Sequence, residues 1–297
     1  MIVIDYSCIA IAGITAFKED LQRDSEHVEN LARHVIISSI KNYKKQFSKD
    51  FGDEIIIACD NGPYWRKNVF EYYKYKRKKS REDSDIPWDV IFKCINETKD
   101  DLKKYFPWKV IDVPGAEADD ILAVMAQNIS VMNNGSPIDD SPSPTVLVTK
   151  DKDSKQLLTH PNIRQWSPYD KKFVKLEESS KMFLRRLILT GDSGDGIPNV
   201  FSPIDSFFTG IRQKPATAKK MQPMLDADNM LDAAPDDTVR NRIIENTRLI
   251  SFNAIPKNIR NKIINAYDVE PIGNKMSVLK YFAQKNMKLL MQDIEQF

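Results

Sequence analysis

The sequence predicts an α/β fold, a central mostly parallel sheet flanked by helices, followed by a smaller all-helical domain. Three observations carry this expectation. Short apolar runs (IVI, EIIIAC, KVIDV, TVLVT) recur along the first half, separated by longer stretches with helical spacing. The runs are continuous rather than alternating, as in strands covered on both faces. From Lys181 onward strand signals disappear and helical patterns dominate.

Taken in order, Ile2–Ile4 reads as a buried strand ending at Asp5, and Asn30–Phe47 carries apolar residues at helical spacing. Glu54–Cys59 is a second strand and ends at Asp60. Gly62–Phe106 holds aromatics and cations with little strand pattern, and is long enough to form helices standing off the sheet. Lys109–Val113 is a third strand, Ala116–Ile129 an amphipathic helix, and Asn133–Pro144 a turn-rich surface loop. Thr145–Thr149 is a fourth strand and runs into Lys150-Asp151. The expected division is a domain over 1–190 and a helical domain over 191–297.

Composition narrows the function. No apolar run approaches the roughly 18 residues of a membrane span. The start lacks the basic, then long apolar, pattern of a signal peptide, so a cytoplasmic protein is expected. Cys8, Cys59 and Cys94 are far apart and odd in number, which argues against a disulfide framework or a zinc site. His27, His34 and His160 lack partners at ligand spacing, so any metal should have oxygen ligands, which favour Mg²⁺ or Mn²⁺.

The carboxylates carry the chemistry. Asp5 and Asp60 follow strands directly; Asp151 does so one residue later, with Asp153 beyond it. Strands ending this way in an open sheet bring their carboxylates to one edge, where such folds bind ligands. Glu117, Asp119 and Asp120 start the helix after the third strand, and Asp192 and Asp195 lie in the turn-rich GDSGDGIP. Each aspartate alone could simply cap a helix or complement its dipole. Gathered together, they would repel and their pKa values would rise unless cations neutralised them. Two Mg²⁺ ions roughly 4 Å apart would activate water and stabilise an in-line phosphoryl displacement.

The net charge of +2 conceals Lys74–Arg81 (KYKRKKSR), with six cations in eight positions. Tyr64-Trp65-Arg66 and Tyr72–Arg77 interleave rings with cations, so rings could stack on unpaired bases while cations hold phosphates. A solvated helix face with its aromatics packed on the sheet is the plainer alternative.

IVID, CDN with the following R…YK..R, EADD, TKDKD and GDSGDGIPNV occur in the order seen in the flap endonuclease/5′ nuclease superfamily, which the chain resembles. QWSPYDKKFVK, RLISFNAIPKNI and the ending at Phe297 extend the likeness to phage members over nearly the whole chain. The resemblance implies a PIN-like core, a helical arch over about 62–106 and a helix–three-turn–helix element that grips duplex DNA. It implies that Asp5, Asp60, Glu117, Asp119, Asp120 and Asp151 surround one Mg²⁺ and that Asp153, Asp192 and Asp195 surround a second, with Mn²⁺ able to substitute. Lys74 and Arg77 would contact the scissile phosphate, Arg66 would assist, and Tyr73 would stack near the terminal nucleotide. Gly210, Lys214, Thr217 and Lys219 would lie near duplex phosphates, although the compact Gly-rich turn usual after the proline is replaced here by NVFSPIDSFFTGIRQKPATAKKM. The implied enzyme is a monomer that cleaves flap DNA and RNA–DNA hybrids and removes lagging-strand RNA primers in an infected bacterium. A single-stranded-DNA-binding protein and a sliding clamp are its implied partners. A PIN-type ribonuclease and a non-catalytic DNA-binding module are the competing readings.

Overall fold

The computed structural model describes residues 1–17, 19, 25–129 and 143–297. In chain order the elements are β1 (Ile2–Asp5), α1 (Tyr6–Thr15), α2 (Ser25–Phe51), β2 (Ile55–Cys59), α3 (Trp65–Val69), α4 (Tyr75–Glu82), α5 (Trp88–Tyr105), β3 (Lys109–Asp112) and α6 (Ala118–Val124). There follow β4 (Thr145–Val148), β5 (Ile163–Ser167), β6 (Lys172–Phe173), α7 (Ser180–Thr190), α8 (Ser206–Thr209), α9 (Ala218–Asp226), α10 (Asp237–Ile250), α11 (Lys257–Tyr267), α12 (Lys275–Gln284) and α13 (Lys288–Gln292). The expected surface loop falls, over 133–142, outside the described residues.

The six strands form one sheet in the order β3-β2-β1-β4-β5-β6, parallel throughout except for β6. Central strands β1, β2 and β4 are buried along their whole length, which explains their unbroken apolar runs. All four expected strands are present within a residue at each end. Strands β5 and β6 were not expected. In β5 (IRQWS) the exposed Arg164 and the buried but polar Gln165 break the apolar signal. The helix expected over Ala116–Ile129 is α-helical only to Val124, and a π turn completes it over Met125–Ile129.

The chain separates into two compact units. The first comprises 1–62, 86–174 and 258–297; the second comprises 63–85 and 175–257. In the first, α2 and α5 cover the sheet with Ile36, Ile40, Ile91, Ile95 and Leu102, and the chain end adds Tyr281, Phe282 and Phe297 to the same core. The stretch 62–106 therefore does not stand off the sheet as a whole, because the amphipathic α5 buries Ile91, Cys94, Ile95 and Leu102. In the second unit, α7, α9 and α10 enclose Leu187, Leu189, Met224, Ile243 and Leu249, with Phe70 and Tyr73 from the earlier segment.

Candidate active site

The order β3-β2-β1-β4 sets four parallel strands side by side, so their carboxyl ends share one edge. Seven of the nine predicted carboxylates stand there. Along the edge they run Glu117, Asp119 and Asp120 at the start of α6 beyond β3, then Asp60 after β2, Asp5 at the end of β1, and Asp151 and Asp153 beyond β4. Asp192 and Asp195 belong to the second unit.

Local bonds hold each group. Asp5 caps α1, accepting from the Cys8 amide at 2.9 Å, and its other oxygen accepts from the Thr149 hydroxyl at 2.9 Å. The same hydroxyl accepts from the Asp151 amide at 3.1 Å, while Asp151 accepts from the Asp153 amide at 2.8 Å. Asp60 accepts from the Ala118 amide at 3.0 Å, tying the end of β2 to the turn that carries Glu117. Asp120 accepts from the Glu117 amide at 3.0 Å in a capping box. The plain reading of these aspartates as caps is therefore correct for Asp5 and Asp151, while Asp120 supports the Glu117 cap from the first turn, and it coexists with their convergence.

Electrostatics reveal that convergence. Burial, then the Asp60 charge, push the Asp5 carboxyl up to about 7; Asp151 adds to the rise, against the bonds from Cys8 and Thr149. Burial and then Asp5 raise the neighbouring Cys8 thiol, with Asp119 a smaller contributor. Among the described residues no three or more His, Cys, Asp and Glu side chains form a group set to hold an ion as they stand. One oxygen of Asp5, Asp60, Asp120 and Asp151 is already engaged by a local amide. The donor chemistry nonetheless fits a hard divalent cation. Every candidate ligand is a carboxylate, and the edge resists anionic charge strongly enough to keep Asp5 protonated toward neutral pH.

Two contributors escaped the sequence reading. Thr149 bridges Asp5 and Asp151, and the buried Gln165 on β5 donates to the Thr149 carbonyl at 3.2 Å and the Asp151 carbonyl at 2.8 Å. A polar residue closing an apolar strand was the available signal for Thr149. Nothing local marked Gln165, since its role arises from the pairing of β4 with β5.

The second unit brings the basic segment onto GDSGDGIP. Asp195 accepts from the Tyr73 hydroxyl at 2.9 Å and from Arg77 at 2.6 Å, with the Lys74 ammonium 3.9 Å away. Lys74 holds φ +58°, and its amide donates to the Asp195 carbonyl at 2.9 Å. Asp192 accepts from the Gly194 and Asp195 amides, closing the turn. Tyr73 is only 3% exposed, so its ring has no open face for a base as it stands. Arg66 is equally buried, donates to the Leu249 carbonyl at 2.8 Å and lies over the Trp65 ring, an anchor for α3. Gly210 ends α8 in the left-handed conformation, and Thr217 precedes α9. Between them the Lys214 amide donates to Ser202 and its carbonyl accepts from Asn199, while Lys219 is exposed on α9.

Residues 1–184 match the family profile described as 5′-3′ exonuclease, N-terminal resolvase-like domain, and residues 178–297 match the profile T4 RNase H, C terminal. The chain belongs to the 5′-3′ exonuclease family. As a member it is a nuclease, an enzyme that cleaves phosphodiester bonds. Among relatives of this family, ribonuclease H of Enterobacteria phage T4 is 32% identical, the alignment covering 99% of this chain and 95% of that one. Flap endonuclease Xni of Shewanella halifaxensis is 30% identical over 46% of this chain and 49% of its own. The fold is that of the bacteriophage T5 flap endonuclease, solved as a pseudo-enzyme-product complex with DNA and metal ions. That structure superposes with a TM-score of 0.64 at 13% identity, covering 90% of this chain and 99% of the other. A zinc-bound T5 5′-exonuclease gives 0.57 at 15% identity over 100% and 98%. No helix among the described residues is long and apolar enough to cross a membrane.

Proposed function

We propose that this exonuclease-family chain hydrolyses flap DNA and RNA–DNA hybrids at or near a 5′ end, with two Mg²⁺ ions held by carboxylates. The observation that carries this reading is the row of seven acidic residues along four adjoining parallel strand ends, with Asp5 driven to about 7 by burial and its neighbours. Asp5, Asp60, Glu117, Asp119, Asp120 and Asp151 would hold the first ion, and Asp153, Asp192 and Asp195 the second. Bound there, the ions would supply Lewis acidity, acidifying a water and neutralising charge that builds on the phosphate.

The chain's own residues do the rest. Thr149 and Gln165 keep Asp5 and Asp151 oriented through the hydroxyl and carbonyl bonds described above. Lys74 and Arg77 hold the scissile phosphate, which competes with Asp195 for the same two cations. Gly210, Lys214, Thr217 and Lys219 contact duplex phosphates, which positions the substrate without reading its sequence. The arch is confined to the part of 62–106 that precedes α5. A role in removing RNA primers in the cytoplasm of an infected bacterium, alongside a single-stranded-DNA-binding protein and a sliding clamp, accords with the phage relative. A PIN-type ribonuclease is disfavoured by a match that continues to residue 297.

Asp151→Asn tests the assignment, because it keeps the side-chain shape and removes one ligand charge. Single-turnover cleavage of a 5′-flap substrate in Mg²⁺ should fall by more than the roughly 10–100-fold that outer-shell partners of a metal are worth. Affinity for the same substrate in chelator should stay within about twofold. Wild-type turnover in this variant would remove Asp151 from the reaction.

A further inference from the structure

The second unit leaves two packed aromatic rings about half exposed to water. Phe208 on α8 stacks on Tyr72, with ring centroids 4.3 Å apart and planes at 22°, and meets Tyr75 edge-on at 5.1 Å. Even so, Phe208 is 47% exposed and Tyr75 48%. Such exposure forgoes part of the stabilisation that full burial of a Phe contributes. Next to them, the Lys76 ammonium lies 4.1 Å from the Phe207 ring centre. Beyond α8, Gly210 turns the chain through a left-handed conformation, and a Cβ there would meet no atom within 4 Å, so the space beside this turn is open.

Flat exposed rings beside cations match single-stranded nucleic acid on both counts. Bases stack on the rings, and the phosphates between them pair with the cations. The run KYKRKKSR, in which Tyr75 lies, suits a polyanion. The rings also join the two segments assigned to substrate above. Tyr75 sits between Lys74 and Arg77, and Phe208 precedes Gly210 and Lys214. We propose that Tyr75 and Phe208, whose planes stand at 76°, form a corner for an unpaired base of the substrate's single-stranded arm, one ring against the base face and the other against its edge, with Lys76 pairing with an adjoining phosphate. This rests on the nuclease reading and extends it: the base-stacking role expected of the buried Tyr73 passes to a pair of rings that are half exposed.

The experiment uses the whole 297-residue chain in chelator, with a duplex carrying a 5′ single-stranded arm in which 2-aminopurine is placed at successive positions. Wild type should quench the fluorescence at one or two adjacent positions. Phe208→Ala and Tyr75→Ala should each abolish that quenching and weaken binding of the tailed duplex roughly 5- to 100-fold, with affinity for the blunt duplex unchanged. Phe208→Trp, which keeps a stacking face, should restore both, separating loss of the ring from loss of folding. Wild-type quenching and affinity in both alanine variants would overturn the corner. So would a wild type that binds the tailed duplex and cleaves it in Mg²⁺ with no quenching at any position. A wild type that neither binds nor cleaves either duplex would overturn the nuclease reading itself.

Discussion

Asp5 is at once the last residue of β1, the cap of α1 and a strongly perturbed carboxylate of the acidic edge. Its raised pKa has a consequence for stability. The unfolded chain gives up this proton near 3.8, whereas the folded chain holds it to about 7, chiefly because burial and Asp60 oppose the charge. Between those values the folded state binds the extra proton, so this group's contribution to stability is complete below pH 4 and is lost as pH rises toward 7. Asp5→Asn, which keeps an acceptor for the Cys8 amide, removes that slope. In metal-free buffer its stability relative to wild type should rise by about 2–4 kcal/mol from pH 4 to pH 7, measured by urea melts. A constant difference across that range would show that Asp5 titrates normally. At this scale much was legible: an aspartate closing each apolar run announces the edge. Its supports were not legible, because the bonds of Thr149 and Gln165 exist only once β4 lies between β1 and β5.

Elements were legible to the degree that their burial is uniform. The doubly covered strands β1, β2 and β4 stand out in sequence, while the edge pair β5–β6, with its mixed burial, does not. The turn of GDSGDGIP shows how tightly an element can depend on one backbone position. Gly191 ends α7 at φ +68°, and a Cβ there would fall 2.3 Å from the Ile197 carbonyl oxygen and 2.5 Å from Pro198. Gly210 has nearly the same φ, +74°, with open space around it. The two differ in ψ, −176° at Gly191 against 8° at Gly210, so at Gly191 a conformation nearly reserved for glycine adds to the collision. Gly210→Ala should cost about 1 kcal/mol, the left-handed penalty alone. Gly191→Ala should cost roughly 3 kcal/mol or more, because backbone must move as well. Thermal or urea melts of the two variants check this, and equal losses would mean that the turn after Gly191 yields easily.

At the scale of the whole molecule the chain passes between its two units four times, and no break near Gly191 separates their cores. Sequence reading finds the change from strand-rich to helix-rich composition, but not that the last forty residues return to the sheet unit. That return depends on side chains such as Val278, Tyr281, Phe282 and Leu290, whose helical spacing looks the same whichever core receives it. Tyr281 donates to Asp101 at 2.9 Å, and Phe297 stacks on Trp108 with planes at 29°. A fragment ending at residue 190 therefore contains every strand and still lacks part of its own core. It should retain helical circular dichroism, bind a hydrophobic dye and melt without a cooperative transition. A fragment that melts as sharply as the full chain would show that the returning helices are dispensable.

The closure of that core by Phe297 also has a meaning in time. Ile2 and Phe297 serve one apolar cluster although they lie far apart in the sequence. A ribosome therefore releases the strand that bears Asp5 long before the residues that seal its underside exist. Throughout elongation the nascent chain must carry an unfinished greasy face, open to chaperones and to neighbouring chains. Its acidic edge acquires a settled foundation only after Tyr281, Phe282 and Phe297 have been added.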